Sequence, residues 1–372
     1  MTTAAITGTG LFTPAQSISN DDLVACFNQY VDRYNAGHAD AIERGDVAAL
    51  AHSSSEFIVK ASGIKSRYVV DREGILDVDW MRPRIQTRGD DQPSLMCEMG
   101  VKAARQALQA AGRSAEDVDL VIVACSNMQR GYPAIAVEIQ GALGARGFAY
   151  DMNVACASAA FGIQAAADEV RLGHARCALV ISPEICSGHL NWRNRDCHFI
   201  FGDAATAVLI EPRAAGRSGA FEILGTRLLT QFSNNIRNNL GFLNACERPQ
   251  RSWDDLLFRQ EGRKVFKEVV PIASELIVGH LADLGLSPEQ VRRFWLHQAN
   301  LSMNHLIAKR VLGREPSLEE APVILDEYAN TSSAGSVIAF HKYHADIQSG
   351  EAAVLCAFGA GYSAGSVVMR RL

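Results

Sequence analysis

The hydrophobic pattern of this chain alternates between short, wholly apolar runs and longer alanine-rich stretches. The alternation is clearest in five consecutive segments: 118–125, 135–143, 149–154, 157–172 and 178–182. Wholly apolar runs of strand length are typical of buried strands, and their alternation with helices is typical of layered α/β architecture. Glycines follow three of the predicted helices, where a left-handed residue commonly ends a helix: Gly112, Gly173 and Gly285. The pattern therefore predicts an α/β protein.

One helix-to-strand pattern occurs twice. Residues 107–123 (ALQAAGRSAEDVDLVIV) match residues 280–296 (HLADLGLSPEQVRRFWL) at a constant offset of 173, with helix, glycine, Ser-x-Glu and strand in step. A second, weaker match pairs residues 201–210 with 358–367, each a glycine turn that leads into a strand. Two matches in the same order favour duplication of one α/β unit over chance similarity.

The duplication predicts two halves, residues 1–212 and 213–372, joined near 211–219. Two stretches of the first half depart from the repeating pattern. Residues 27–56 are polar and alanine-rich with aromatic residues at helical spacing, and residues 71–93 are charged and interrupted by proline. We interpret both as insertions, which act either as surface segments or as a lid or dimer contact.

Composition narrows the class of protein. The chain has 372 residues, of which 48% are hydrophobic, and a net charge of -5. This length supports a large core, and the charge argues against nucleic acid or an anionic membrane as a partner. No stretch approaches 18 uninterrupted apolar residues, and the first residues lack a basic, then apolar leader. We therefore expect a cytoplasmic protein that neither crosses nor binds membranes.

The nine cysteines are odd in number, scattered, and free of any Cys-x-x-Cys pair. They support neither a disulfide framework nor a zinc site, and we expect no metal. Cys156 differs from the others because it lies where an apolar strand runs into a small-residue helix. A helix N-terminus favours negative charge, so we expect a lowered thiol pKa and N–H groups that can hold an oxyanion. The alternative is a small core residue.

Two polar segments of the second half supply partners for this thiol. His297 follows the predicted strand 291–296, at the carboxyl end where α/β sheets bind ligands. Asn330 begins a polar turn before an apolar helix and offers a side-chain amide. A cysteine with a histidine and an amide fits acyl transfer through a thioester intermediate, and the glycine turn 359–361 can bring a further N–H to the oxyanion.

These residues resemble those of the β-ketoacyl-acyl carrier protein synthases III of the thiolase superfamily, over nearly the whole chain. The matching motifs are, in chain order, Ala-Cys-Ala at 155–157, Phe-Gly-Asp at 201–203, His-Gln-Ala-Asn at 297–300, Asn-Thr-Ser at 330–332 and Phe-Gly-x-Gly at 358–361. The resemblance implies a five-layered αβαβα fold from two duplicated halves, a homodimer, and no cofactor. Asparagine in the third place favours this branch over the synthases with two histidines and the thiolases with a second cysteine.

The resemblance also implies a mechanism. Cys156 takes an acyl group from acyl-CoA; malonyl-acyl carrier protein then loses carbon dioxide and attacks the acyl-enzyme. His297, as a neutral donor, and Asn330 stabilise the enolate, and the backbone N–H groups of Cys156 and Ala360 form the oxyanion hole. Three further residues are expected to shape the site without taking part in bond making: Asp203, Gln298 and Asn300.

Binding residues follow from the same resemblance. The acyl pocket is assigned to Tyr132 and Phe358, and contacts with CoA or carrier protein to Phe57, Lys60, Arg195, Lys267, Lys309 and Arg310. Phe57 and Lys60 stand where the family has tryptophan and arginine, and Ser302 replaces another arginine. These departures imply different contacts with CoA or carrier protein. Tyr132 stands at the family's aromatic gate and Ala360 where glycine is usual. Together with the two insertions, they favour a primer longer than acetyl. Lys309 and Arg310 also fit an ordinary solvated helix face.

Other functions stay open at this stage. Papain-like proteases have the same order of cysteine, histidine and asparagine, at a similar spacing, but in a different local context. The alternative is a related enzyme that uses this triad for another condensation, either ketide synthesis from malonyl-CoA or condensation of long-chain acyl-CoA without prior decarboxylation. A scaffold subunit would leave the coexistence of the three residues unexplained.

Overall fold

Strands and helices alternate along the computed structural model, which describes residues 3–215 and 219–372. The strands are β1 (Ala4–Phe12), β2 (Gln16–Ser19), β3 (Ser66–Val69), β4 (Leu120–Ala124), β5 (Phe148–Met152), β6 (Ala178–Ile185), β7 (Asp203–Pro212), β8 (Phe221–Ser233), β9 (Ile236–Arg237), β10 (Arg259–Gln260), β11 (Val291–Leu296), β12 (Ala352–Gly359) and β13 (Gly361–Arg371). The helices are α1 (Asn20–Gly37), α2 (Ala39–Glu43), α3 (Ser55–Ser62), α4 (Arg72–Ile75), α5 (Leu95–Ala111), α6 (Ile135–Leu143), α7 (Ser158–Leu172), α8 (Trp253–Leu256), α9 (Gly262–Asp283), α10 (Leu301–Leu312), α11 (Leu325–Tyr328) and α12 (Ala334–Lys342).

Local sequence signals set several of these boundaries. Ser94 caps α5 by accepting a hydrogen bond from the N–H of Cys97. Gly112 and Gly173 end α5 and α7 in the left-handed conformation, with φ of 60° and 80°. The predicted strand before His297 is confirmed as β11, and the five segments of alternating pattern correspond to β4, α6, β5, α7 and β6.

One continuous sheet of nine strands runs through the molecule in the order β11-β12-β13-β8-β1-β7-β6-β4-β5. Its two ends repeat one pairing scheme. The pairs β4–β6 and β11–β12 are parallel, while β6–β7 and β12–β13, and then β7–β1 and β13–β8, are antiparallel. Two residue pairs between β1 and β8 join the halves of the sheet. A duplicated α/β unit produces this repetition.

The helices form three layers around the sheet. The helices α5 and α6 contact strands of the first half, and α9 and α10 pack together, with α9 against strands of the second half. Between them, α7 and α12 each contact strands of both halves and fill a shared apolar core. The predicted five-layered αβαβα fold is therefore confirmed.

The boundary between the predicted halves lies at the end of β7. Of the predicted junction 211–219, residues 216–218 lie outside the described residues. The division into 1–212 and 213–372 stays a prediction. No helix among the described residues is long and apolar enough to cross a membrane. Over the same residues, no group of three or more potential metal ligands lies together.

The first predicted insertion packs into the molecule. Phe27 and Val31 of α1 are buried in an apolar cluster that also contains Phe199, Phe201 and Phe258. The Phe27 ring stacks on His198, with ring centroids 4.4 Å apart. Helix α1 of this insertion therefore packs against the segments that carry Phe199, Phe201 and Phe258.

The second predicted insertion is attached at the surface. Its Arg82 guanidinium lies 3.7 Å from the ring centroid of Trp80 and 5.5 Å from that of Trp253 in α8. Both rings are partly exposed. Cation–π contacts of this kind hold 71–93 against the segment that precedes β10.

Candidate active site

Cys156 lies in a tight turn between β5 and α7, two residues before the helix begins. The turn requires Ala155 to adopt a φ of 47°, which is rare for a residue with a side chain. Two side chains hold it: Asn153 accepts from the Ala155 N–H at 3.0 Å, and the Ser158 hydroxyl accepts from the Val154 N–H at 2.8 Å. The sequence thus fixes the thiol at the base of a cavity.

The thiol of Cys156 is not acidified. Burial, with the negative charge of Glu184 as a smaller cause, raises its pKa to about 11. The Ser332 hydroxyl, 3.4 Å from the sulfur, and the backbone N–H groups of Cys156 and Ala360 lower the pKa but do not offset burial. Our expectation that the helix N-terminus lowers the pKa was wrong, because the same packing that aims the N–H groups also removes water.

His297 directly follows β11, and its backbone N–H donates to the carbonyl of Cys356 at 2.8 Å. Its ring meets the Phe358 ring edge to face, with centroids 5.2 Å apart. Burial lowers the pKa of His297 to about 4, and its Nδ1 has no hydrogen-bond partner among the described residues. The imidazole is therefore neutral near pH 7, as predicted.

Asn330 is fixed on both sides of its backbone. Its N–H donates to the carbonyl of Ile200, and its carbonyl accepts from the Gly202 N–H. The side-chain Oδ1 accepts from the Ser332 N–H at 2.8 Å. This contact sets the orientation of the amide, so that Nδ2 is the group left to donate.

The three side chains of Cys156, His297 and Asn330 line one cavity of about 530 Å³. This volume is typical of small-molecule sites. Most of the remaining wall is apolar and includes the following residues: Phe57, Phe199, Ile200, Phe201, Ile236, Phe258, Val265, Phe266, Val269, Met303 and Phe358. The site can therefore hold an apolar chain close to a thiol and two hydrogen-bond donors.

The predicted binding residues fall into two groups. Phe57 lines the cavity, and the Arg195 guanidinium lies 4.1 Å from its ring centroid. Phe358 also lines the cavity. Four residues are exposed on helices and do not line it: Lys60, Lys267, Lys309 and Arg310. Lys309 pairs with Glu315, as expected of a solvated helix face.

The structure does not bring Tyr132 to the cavity. Its side chain is 88% exposed, on the loop before α6, and none of the cavity wall belongs to that loop. Within one chain, Tyr132 therefore does not line the cavity to which it was assigned. The assignment came from a resemblance between sequences. Such a resemblance carries no information about which surface a loop faces.

Gln298, Asn300 and Asp203, which are expected to shape the site, form hydrogen bonds that fix the loops around it. The Gln298 side chain donates to the carbonyl of Leu296 and accepts from the Ile324 N–H. Asn300 caps α10 and donates to the carbonyl of Ala61 at 2.6 Å. Asp203 accepts from the Ser187 N–H and hydroxyl, and burial raises its pKa to about 6.

Sequence reasoning missed two residues of the site. Ser332 contacts the thiol, and its position in the Asn-Thr-Ser turn was a usable signal. Arg263, in the first turn of α9, lines both this cavity and an adjoining polar pocket that also includes Arg237 and Arg259. Nothing in the sequence distinguishes Arg263 from an ordinary surface arginine.

A half-buried cysteine, a neutral histidine and an oriented amide in this fold define the class of cysteine-dependent condensing enzymes. Two family models match the chain: 3-oxoacyl-[acyl-carrier-protein] synthase III over residues 150–231, and the C-terminal part of the same synthase over residues 281–371.

The relatives agree with this class. A β-ketodecanoyl-[acyl-carrier-protein] synthase of Pseudomonas aeruginosa is 61% identical over 347 residues, covering 93% of this chain and 99% of the relative. A β-ketoacyl-[acyl-carrier-protein] synthase III of Acidiphilium cryptum is 36% identical over 73% of this chain and 83% of its own. The crystal structure of 3-oxoacyl-[acyl-carrier-protein] synthase III from Aquifex aeolicus superposes with a TM-score of 0.77 at 26% identity, over 99% of both chains.

The chain therefore belongs to the β-ketoacyl-[acyl-carrier-protein] synthase III family, also called the 3-oxoacyl-[acyl-carrier-protein] synthase III family. The resemblance read from the motifs is confirmed. The papain-like alternative is wrong, because the cysteine belongs to a synthase fold over the whole chain.

Substitution of Gly359 should disable the thiol. A Cβ at this position would lie 2.6 Å from the Cβ of Cys156 and 3.1 Å from its sulfur. We expect Gly359→Ala to fold but to lose about 100-fold in the rate of Cys156 acylation, as misplacement by about 1 Å can cause. Intact-protein mass spectrometry over time measures the rate, and circular dichroism checks folding.

Gly141→Ala in α6 is the matched control, because its added Cβ meets nothing within 4 Å. A Gly359→Ala variant that is acylated as fast as Gly141→Ala would show that the thiol does not depend on this close approach.

Proposed function

We propose that this chain catalyses a decarboxylative Claisen condensation between a medium-chain acyl-CoA and malonyl-acyl carrier protein, as an acyltransferase of fatty-acid biosynthesis or a related pathway. One observation carries the proposal: Cys156, His297 and Asn330 line a single apolar cavity. Family membership supports the reaction class.

In the first half-reaction, the sulfur of Cys156 attacks the thioester carbon of acyl-CoA. The sulfur–carbon bond to CoA breaks, and the thiol proton ends on the CoA sulfur. The N–H groups of Cys156 and Ala360, which already act on this sulfur, are placed to hold the oxyanion. Because the pKa of Cys156 is about 11, the thiolate is scarce near pH 7 and acylation should accelerate as pH rises.

In the second half-reaction, malonyl-acyl carrier protein loses carbon dioxide, and the electron pair of the broken bond forms a thioester enolate. Neutral His297 and the Asn330 amide donate to the enolate oxygen. The enolate carbon then attacks the acyl-enzyme carbonyl, a carbon–carbon bond forms, and the sulfur of Cys156 leaves and takes up a proton. Neither half-reaction, as proposed, requires a metal or a cofactor.

The primer is proposed to carry eight carbons. The relative at 61% identity is named for a ten-carbon β-keto product. A condensation that loses carbon dioxide from malonyl adds two carbons, so a ten-carbon product requires an eight-carbon primer. The apolar wall of aromatic and aliphatic side chains suits such a chain better than acetyl.

Cationic side chains near the cavity are proposed to contact the phosphates of CoA or an acidic carrier protein. Arg195 and the newly found Arg263 lie at the cavity, and the exposed Lys267 lies on the same helix as Arg263. Lys60, Lys309 and Arg310 remain candidates for the carrier protein alone.

We also propose the cytoplasm as the compartment. The described cysteines are free, which suits a reducing environment where acyl-CoA is present. Cell fractionation checks this placement.

The wild-type protein should acquire an octanoyl group in preference to acetyl. We expect an equimolar mixture of acetyl-, butyryl-, octanoyl- and palmitoyl-CoA to give mainly the octanoyl mass increment, because the apolar cavity gains most from a chain that fills it. The Cys156→Ser variant is the control and should show no adduct. A dominant acetyl adduct would refute the eight-carbon primer, and no adduct from any substrate would refute the function.

Loss of His297 should separate the two half-reactions. We expect His297→Ala to retain acylation by octanoyl-CoA but to lose about 100- to 1,000-fold in condensation, as removal of one oxyanion donor does. His305→Ala, on the exposed face of α10, is the control. Release of carbon dioxide from malonyl-acyl carrier protein measures the second step, and malonyl-CoA in its place tests the ketide-synthase alternative. Condensation at the wild-type rate would remove His297 from the mechanism.

A homodimer is proposed from the free edge of the sheet. Strand β5 is an end strand, and apolar side chains beside it are exposed: Tyr132, Val137 and Phe148. Exposed strand edges with apolar neighbours pair readily with a second copy. Sedimentation velocity should give twice the chain mass for the wild type and for the control Leu172→Arg, but a monomer for Phe148→Arg. A monomeric wild type would overturn the proposal.

A further inference from the structure

Glu184 is a buried carboxylate that the mechanism above does not use. It lies near the end of β6, with 1% of its residue surface exposed. Oε1 accepts from the Ser126 N–H at 2.9 Å, the Ser333 N–H at 3.1 Å and the Ser333 hydroxyl at 2.5 Å. Oε2 accepts from the Ser126 hydroxyl at 2.6 Å. Four donors converge on one side chain.

These bonds connect the two segments that carry the reacting groups. Ser126 follows β4, and its carbonyl accepts from the Asn153 side chain in the turn that presents Cys156. Ser333 lies three residues after Asn330 and directly after Ser332, which contacts the thiol. Glu184 thus lies between the segment with the nucleophile and the segment with the amide.

We propose that Glu184 is a positioning residue, which fixes Asn330 relative to Cys156 by holding Ser333 and Ser126 on one carboxylate. The proposal rests on the function proposed above and assigns Glu184 to its second half-reaction. The turn that presents Cys156 also has hydrogen bonds of its own that do not involve Glu184, from the Val154 N–H to Ser158 and from the Ala155 N–H to Asn153. Loss of the carboxylate should therefore disturb condensation more than acylation.

Burial raises the pKa of Glu184, and the hydrogen bonds from Ser126 and Ser333 oppose this shift by favouring the ionised carboxylate. All four of its close partners are donors, and an ionised carboxylate accepts only. The other titratable groups coupled to it are thiols: Cys125, Cys156 and Cys186, the last also coupled to Asp203. No cation is among these partners in the described part of the chain. In its ionised form, Glu184 raises the pKa of the Cys156 thiol.

Glu184→Ala tests the positioning role. We expect the ratio of the condensation rate to the acylation rate to fall about 10- to 100-fold, within the range that misplacement of a catalytic group by about 1 Å can cause. Ser333→Ala, which removes one of the four bonds, should lower the ratio less. If Glu184→Ala fails to fold, Ser333→Ala still tests the proposal, because an unchanged ratio in that variant would contradict it.

Glu184→Gln separates position from charge. The amide oxygen can occupy the place of Oε1 and keep three of the four bonds, and the amide nitrogen can donate to the Ser126 hydroxyl oxygen. We expect the condensation-to-acylation ratio to stay close to wild type. The pH dependence of Cys156 alkylation by iodoacetamide should move to lower pH, because removal of a negative charge lowers the pKa of the thiol.

Glu211→Gln is the matched control. Glu211 is also buried, but it lies at the opposite end of the neighbouring strand β7, bonded to Thr7 and Arg113. It should alter neither the ratio nor the alkylation profile. If Glu184 has only a structural role, Glu184→Ala should lower the melting temperature and leave the condensation-to-acylation ratio unchanged. That result would overturn the proposal.

The outcomes distinguish the two proposals. Without acyl-enzyme in the wild type, the proposed function fails, whereas the alkylation profile still reports whether the Glu184 charge acts on Cys156. With an active wild type, an unchanged ratio in Glu184→Ala removes the positioning role alone. An unchanged alkylation profile in Glu184→Gln removes the electrostatic part.

Discussion

Burial of the histidine and partial burial of the cysteine that line the cavity are the constraint on which the rest of this structure depends. Cys156 and His297 are packed so closely that burial moves the pKa of the thiol up to about 11 and that of the imidazole down to about 4. Both groups are consequently uncharged near pH 7. Hydrogen bonds from fixed donors therefore act on these groups in place of free charges. Gly359 allows the chain to pass close to Cys156, and the turn at Ala155 directs the thiol into the cavity.

The fold and the reacting residues were largely predictable, because both depend on signals carried by short segments. Wholly apolar strands, glycine helix ends and the repeated pattern predicted a layered α/β protein with a duplicated unit, and the family resemblance added the five layers. Cys156, His297 and Asn330 each lie at an element boundary. The thiol pKa was not predictable, because a helix N-terminus is visible in a sequence whereas desolvation by distant segments is not.

The wall of the cavity escaped prediction for a related reason. It combines side chains from loops far apart in the chain, such as Phe201 and Phe258, and the insertion that supports them reads as polar. Glu184 was equally hidden, since a single glutamate within a strand gives no sign of the four donors that tertiary packing brings to it. Tyr132 shows the converse, because a motif match placed it in a pocket that its loop does not reach within one chain.

The repeated pairing scheme of the sheet has a consequence for the site. The thiol comes from the first repeat, and the imidazole and amide from the second. Neither repeat therefore holds all three side chains, and the cavity that they line exists only where the two repeats meet. The two repeats share one pairing scheme but contribute unlike groups, a cysteine from one and a histidine with an asparagine from the other.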